Sequence, residues 1–125
     1  MNLDKVISGF FIILAMTLNF GFFYGEMHTV ASHSKYELFA AIVVNLIATI
    51  LKLGDKTQLG SVLLATSLVA DIQLIAAATI WTVAIYSTML DSEIIGMVVS
   101  LSGGALLANI TSVILYVGDT IKSKR

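Results

Sequence analysis

Long apolar runs separated by short polar segments constrain this chain more than any other feature. The first run extends from Val6 to Gly25, and further apolar blocks cover residues 37–90 and 94–118. A helix needs ~20 apolar residues to cross the hydrocarbon core of a bilayer. Charged residues make up 12% of the 125 positions, whereas they make up roughly 25% of an ordinary soluble domain. The sequence therefore predicts an all-α, polytopic integral membrane protein with a single membrane domain over residues 1–125.

The block of residues 37–90 is too long for one crossing, and two positions in it can form a turn. One alternative places the turn at Gly54 to Lys56, and the other places it at Ala70 to Ile72. Either division gives four transmembrane helices. Their expected ranges are about 5–25, 37–69, 72–90 and 94–118. The alternative has a break at position 54 within the range 37–69.

The basic residues predict an orientation for these four crossings. Six of them fall on the side that carries both termini and the middle connection, and Lys35 alone falls on the other side. Because cytoplasmic segments are enriched in lysine and arginine, both termini are expected in the cytoplasm of a bacterial-type inner or plasma membrane. The six residues are Lys5, Lys52, Lys56, Lys122, Lys124 and Arg125.

The segment around Gly54 also determines where polar residues lie. If one helix runs unbroken over residues 37–69, steps of three and four place a polar stripe on one face, formed by Asn45, Thr49, Lys52 and Lys56. If the helix ends at Leu53 instead, Asp55 or Thr57 caps the next helix and Asp71 lies in mid-membrane. An ionised carboxylate at that depth costs several kcal/mol unless it is paired or hydrated, so it indicates a functional site.

A family resemblance rests on the stretch Leu53-Gly54-Asp55-Lys56-Thr57-Gln58-Leu59. It resembles the signature of the small cation exchangers that move calcium or manganese against protons, which carry Glu-x-Gly-Asp-Lys-Thr/Ser within a membrane helix. That resemblance implies a helix continuous through Gly54, a turn near Asp71, and oxygen ligands for a hard cation at Asp55 and Thr57. This chain has Lys52 in the position of the family's glutamate and a single copy of the motif. The candidate cation-contacting residues are Asp55, Thr57, Gln58 and Asp71.

The last apolar block carries a packing pattern. Small residues recur at every fourth position, and such residues let membrane helices approach closely. We therefore expect one face of this helix to pack tightly, against the same chain or against a second copy. The small residues are Gly96, Ser100, Gly104, Ala108 and Ser112.

Two classes of function are compatible with these sequence features. No nucleophile-and-base motif or phosphate-binding glycine loop is recognisable, so neither an enzyme nor a nucleic-acid partner is expected. The favoured expectation is a small cation transporter or channel in the lipid bilayer, assembled as a homo-oligomer, with an inorganic cation as its ligand and no other cofactor. The alternative is a non-transporting membrane subunit or scaffold that binds other membrane helices.

Overall fold

The computed structural model describes residues 3–28, 34–54, 57–87 and 92–123, with the backbone alone for residues 25–28, 34, 35, 92 and 123. These residues form four α-helices, in agreement with the all-α prediction. The helices are α1 (Leu3–His28), α2 (Ser34–Lys52), α3 (Gln58–Tyr86) and α4 (Ser92–Ser123). Among the described residues, three segments are long and apolar enough to cross a membrane, namely Leu3–Tyr24, Gln58–Tyr86 and Glu93–Lys122.

The four helices form a closed antiparallel bundle. Each helix packs against its neighbours in sequence, and α1 also packs against α4 to close the ring. The core is built around three fully buried large side chains, those of Phe22, Leu74 and Val98. Alanines occupy several of the other inner positions, and their small side chains let the helix axes approach closely. These alanines include Ala41, Ala70, Ala77 and Ala105.

The connection between α2 and α3 falls between Lys52 and Gln58, and the structure describes its residues 53, 54 and 57. The Leu53 N–H donates to the Ile50 carbonyl at 3.1 Å and tightens the end of α2. Thr57 then acts as the N-cap of α3, because its hydroxyl accepts a hydrogen bond from the Gly60 N–H at 3.0 Å. A side-chain acceptor at this position satisfies one of the free N–H groups of the first helical turn. The sequence alternative that ends a helix at Leu53 is therefore the one observed.

Two expected helix ranges need correction. α3 continues without interruption through residues 69–72, so no helix boundary lies there and the ranges 37–69 and 72–90 are wrong. Asp71 stays helical because its carboxylate contacts Thr49 of α2 inside the bundle, which removes the need for a solvent-exposed turn. The helix through Gly54 implied by the exchanger resemblance is likewise not observed. α1 and α4 extend a few residues beyond their expected ends.

Candidate functional site

Buried polar residues from all four helices form a layer inside the bundle, near the midpoints of α3 and α4 and within two turns of the end of α2. We define this polar layer as Asn19 of α1, Asn45 and Thr49 of α2, Asp71 of α3 and Asn109 of α4. Each of these residues is at most 7% exposed. Asp71 lies thirteen residues after the start of α3 and fifteen before its end, which places it ~20 Å from either end at ~1.5 Å per residue.

Cross-helix contacts show that these residues lie at similar depth. The Asn109 side chain donates to the Ala15 carbonyl at 3.4 Å, one turn before Asn19. One turn after Asn19, the Phe23 ring lies against Gly103. The adjacent Gly104 lies against the side chain of Gln73, two residues from Asp71. α1, α3 and α4 therefore meet near the level of Asp71.

Thr49 links α2 to the carboxylate of Asp71. Its hydroxyl lies 2.5 Å from Asp71 Oδ2 and 2.9 Å from the Asn45 carbonyl oxygen. The Asn45 side chain in turn donates to the Ala41 carbonyl at 2.7 Å. Asp71 forms no ion pair within the described part of the chain. A carboxyl group at mid-bundle is thus held by a hydroxyl and not by a basic side chain.

Several polar atoms in the layer and directly beside it have no hydrogen-bond partner among the described residues. They are both polar side-chain atoms of Asn19, Oδ1 of Asp71 and Oε1 of the neighbouring Gln73. A buried polar atom without a partner costs about 1–3 kcal/mol. This cost indicates that the layer is not optimised for packing alone, because apolar residues would fill the same space without it.

The model of DUF6394, a family of unknown function, matches residues 32–120. This chain belongs to the DUF6394 family. No curated protein and no solved structure matches it. The matched range of the DUF6394 chain contains α2, α3 and nearly all of α4, and so includes Asn45, Thr49 and Asp71, whereas Asn19 precedes it.

The DUF6394 chain brings together only part of the predicted cation-contacting set. Asp71 joins Asn45 and Thr49 in the polar layer, whereas Thr57 and Gln58 are exposed at the start of α3. Since that position is ~20 Å from Asp71 along the helix, one ion cannot contact all of these residues. The structure gives Thr57 a capping role instead. Asp55 lies outside the described residues.

The structure describes three of the four residues of the predicted polar stripe. Asn45, Thr49 and Lys52 share the inward face and are buried, while Lys56 lies outside the described residues. Lys52 extends away from the layer, and its Nζ lies 5.2 Å from the ring centre of Tyr116 on α4. The Tyr116 hydroxyl donates to the Lys5 carbonyl, and the Lys5 ammonium lies 3.5 Å from the Asp119 carboxylate. Basic residues of α1 and α2 thus meet the end of α4.

The small-residue face of α4 packs within the chain along only part of its length. Gly104 lies against Gln73, Ala108 packs against the core, and the Ser112 hydroxyl lies 2.5 Å from the Thr66 hydroxyl on α3. Gly96 and Ser100 are exposed, and no atom of another described residue lies within 4 Å of a side chain built at Gly96. The first part of this face is therefore open.

Asn19 was absent from the sequence-based site. Its signal is visible in the pattern of α1, because Ile12, Ala15, Asn19 and Phe22 recur at steps of three and four and all are buried. An amide within such an apolar face lies toward other helices and not toward lipid. The sequence could not show that α3 and α4 bring Asp71 to the same depth.

Proposed function

We propose that this protein handles a cation within the membrane, as a small transporter or channel, with Asp71 as the residue that contacts the ion. The main support for this proposal is the position of Asp71, which is buried near the midpoint of α3. One of its carboxylate oxygens has no hydrogen-bond partner among the described residues. Intramembrane carboxylates are costly and mark ion or proton pathways. Asn45 and Thr49 supply the neutral oxygens beside it.

The charge of the site supports a monovalent ion. Asp71 is the only charged residue in α3, and its described neighbours in the polar layer are neutral amides and a hydroxyl. One carboxylate balances one positive charge, whereas calcium sites typically gather several carboxylate and carbonyl oxygens. The proposed ligand is therefore a proton or a sodium-sized cation, in place of the calcium or manganese that the exchanger resemblance implies.

The proposed topology has four crossings with both termini in the cytoplasm. α2 has 19 residues, a length of ~28 Å, which is close to the ~30 Å of the hydrocarbon core. Lys5, Lys52 and the end of α4 meet at one end of the bundle. The positive-inside rule assigns such an end to the cytoplasm of a bacterial-type inner or plasma membrane.

A homo-oligomer is part of the proposal. Four helices offer little interior for a continuous path, and a symmetric assembly provides more. The exposed Gly96 and Ser100 support the alternative function as well, because an open small-residue face favours close contact with another membrane helix. In that alternative the protein is a non-transporting subunit whose partner packs on this part of α4.

Liposome flux separates the two functions. Purified protein is reconstituted and the passage of protons, sodium, potassium, calcium and manganese is measured for the wild type, Asp71→Asn and Glu93→Gln. Glu93→Gln is the matched control, because it also removes one acidic group, but from an exposed position near the start of α4. We expect Asp71→Asn to lower flux about tenfold or more, the equivalent of losing ~1.4 kcal/mol of ion interaction, and Glu93→Gln to retain it.

Absence of flux for all five ions, with protein that remains folded by circular dichroism, would reject the transport proposal. Disulfide cross-linking of Ser100→Cys in membranes then tests the alternative. Cross-linked dimers indicate a second copy on the exposed face. A Ser100→Cys protein that stays monomeric under oxidation contradicts the homo-oligomer on this face.

A further inference from the structure

The hydroxyl of Thr49 is close to two acceptors but has a single hydrogen to donate. One acceptor is the Asn45 carbonyl oxygen at 2.9 Å, and the other is Asp71 Oδ2 at 2.5 Å. Both contacts are within hydrogen-bonding distance. Since one hydrogen cannot serve both contacts fully, the second contact needs a hydrogen from the other side. Asp71 is the only one of the two acceptors that can carry one.

Protonation of Asp71 at Oδ2 supplies the second hydrogen and completes a hydrogen-bond chain from Asp71 through Thr49 to Asn45. The carboxylic acid then donates to Thr49 Oγ1, and Thr49 donates to the Asn45 carbonyl. Each short contact contains one hydrogen, and no charge is placed at mid-bundle. With an ionised Asp71, the Thr49 hydrogen turns to Oδ2 and the carboxylate holds one hydrogen bond among the described residues, while its Oδ1 has none. Intramembrane charge with so few donors is strongly disfavoured.

No charged group of the surrounding helices forms an ion pair with Asp71 within the described part of the chain. On α2, Lys52 follows Thr49 by one turn and its Nζ reaches toward Tyr116, and the Glu37 carboxylate lies against Gly21, two residues after Asn19. On α1 the charged residues nearest to Asn19 in sequence are Glu26, seven residues later, and Lys5, fourteen residues earlier. Lys5 pairs with Asp119 of α4. Tyr116 is the titratable group of α4 within reach of Lys52, and α3 contributes no charge besides Asp71.

We propose that the cation bound at Asp71 is a proton, held on Oδ2 between Asp71 and Thr49. This inference rests on the proposed function in taking Asp71 as the ion-contacting residue, and it specifies the ion. Release transfers the proton from Oδ2 to water and leaves the carboxylate. Among the three residues of this hydrogen-bond chain, release requires rotation of the Thr49 hydroxyl from the Asn45 carbonyl to Asp71. Water must also enter the site to accept the proton, because Asp71 is buried. The Asn45 carbonyl keeps the hydrogen bond of its own helix during this change.

Infrared spectroscopy of the full-length protein in bilayers tests the protonation directly. Protein labelled with ¹³C at the aspartate carboxyl shows a protonated carboxyl band that shifts on labelling, and Asp71→Asn identifies the contribution of this residue. We expect a protonated Asp71 band at neutral pH, unchanged when sodium or potassium is added. Thr49→Val should move the band to higher frequency, because the acid loses its acceptor, while Thr49→Ser keeps it in place.

The outcomes separate this inference from the proposed function. A missing band at neutral pH, or a band that disappears on addition of sodium, overturns the proposal that a proton is bound at Asp71. If flux still depends on Asp71, the bound ion is then a metal cation. A band that is present in protein without flux of any ion rejects transport but retains the protonated site. If Asp71→Asn does not fold, Asp71→Glu serves the same purpose, because the labelled aspartate band is then lost as well.

Discussion

Replacement of Asn19 by alanine should stabilise the protein. Asn19 is fully buried, and neither polar atom of its side chain has a partner among the described residues. Each such atom costs about 1–3 kcal/mol. Removing the amide leaves a void of one to two water volumes, ~30–60 Å³, which at ~24 cal/mol per Å³ costs about 0.7–1.4 kcal/mol. The balance predicts that the free energy of unfolding rises by about 1–5 kcal/mol.

Asn45→Ala is the matched control. Asn45 is 1% exposed, but its side chain donates to the Ala41 carbonyl. The same truncation there loses a hydrogen bond worth about 0.5–1.5 kcal/mol and leaves a similar void, so we expect a loss of about 1–3 kcal/mol. Two identical substitutions at equally buried asparagines should therefore change stability in opposite directions.

Unfolding of both variants can be followed in mixed micelles with a denaturing detergent. Trp81 is the single tryptophan. It is buried beside Phe22, with ring centres 5.9 Å apart, so its emission reports loss of the core. If Asn19→Ala is destabilised to the same extent as Asn45→Ala, Asn19 is hydrogen-bonded in the native protein and the reasoning about its unpartnered atoms is wrong.

Three further predictions concern the ends of the helices. Gly9→Ala should destabilise by about 1–3 kcal/mol, because its new methyl group would lie 3.1 Å from the Tyr116 ring and the hydroxyl of that ring is held by the Lys5 carbonyl. Gly118→Ala meets no described atom within 4 Å and should be neutral or stabilising in the same unfolding titration. Thr57→Ala should cost about 1 kcal/mol through loss of the helix cap, and an unchanged midpoint would contradict that role. Gly54→Cys should react with a membrane-impermeant thiol reagent in inside-out vesicles, and reaction only in right-side-out vesicles would reverse the proposed orientation.

The helical character and the approximate number of elements could be predicted from the sequence, because they depend on local pattern. Long apolar runs with few charges predict helices, and the distribution of lysines predicts which helix ends share a side. The turn at residues 53–57 was one of two open alternatives. The sequence could not choose between them, since Asp71 within an apolar run resembles a polar break until a partner is known.

The site was predictable only in part for the same reason. Asn45, Thr49 and Lys52 share a face of one helix, so spacing alone placed them together. The contact of Thr49 with Asp71 joins residues 22 positions apart in sequence and depends on the register of α2 against α3. Thr57 and Gln58 were included because of a motif resemblance, whereas their position at the start of α3 gives Thr57 a capping role.

By itself, the sequence determined that this chain forms long apolar helices, and it predicted that most basic residues lie on one side, because hydrophobic length and charge are local properties. Only the tertiary structure decided that Asn19, Asp71 and Asn109 lie at one depth. That arrangement depends on how alanines and glycines of different helices pack against one another. Packing between distant segments sets the relative height of each helix, and no local pattern encodes that height.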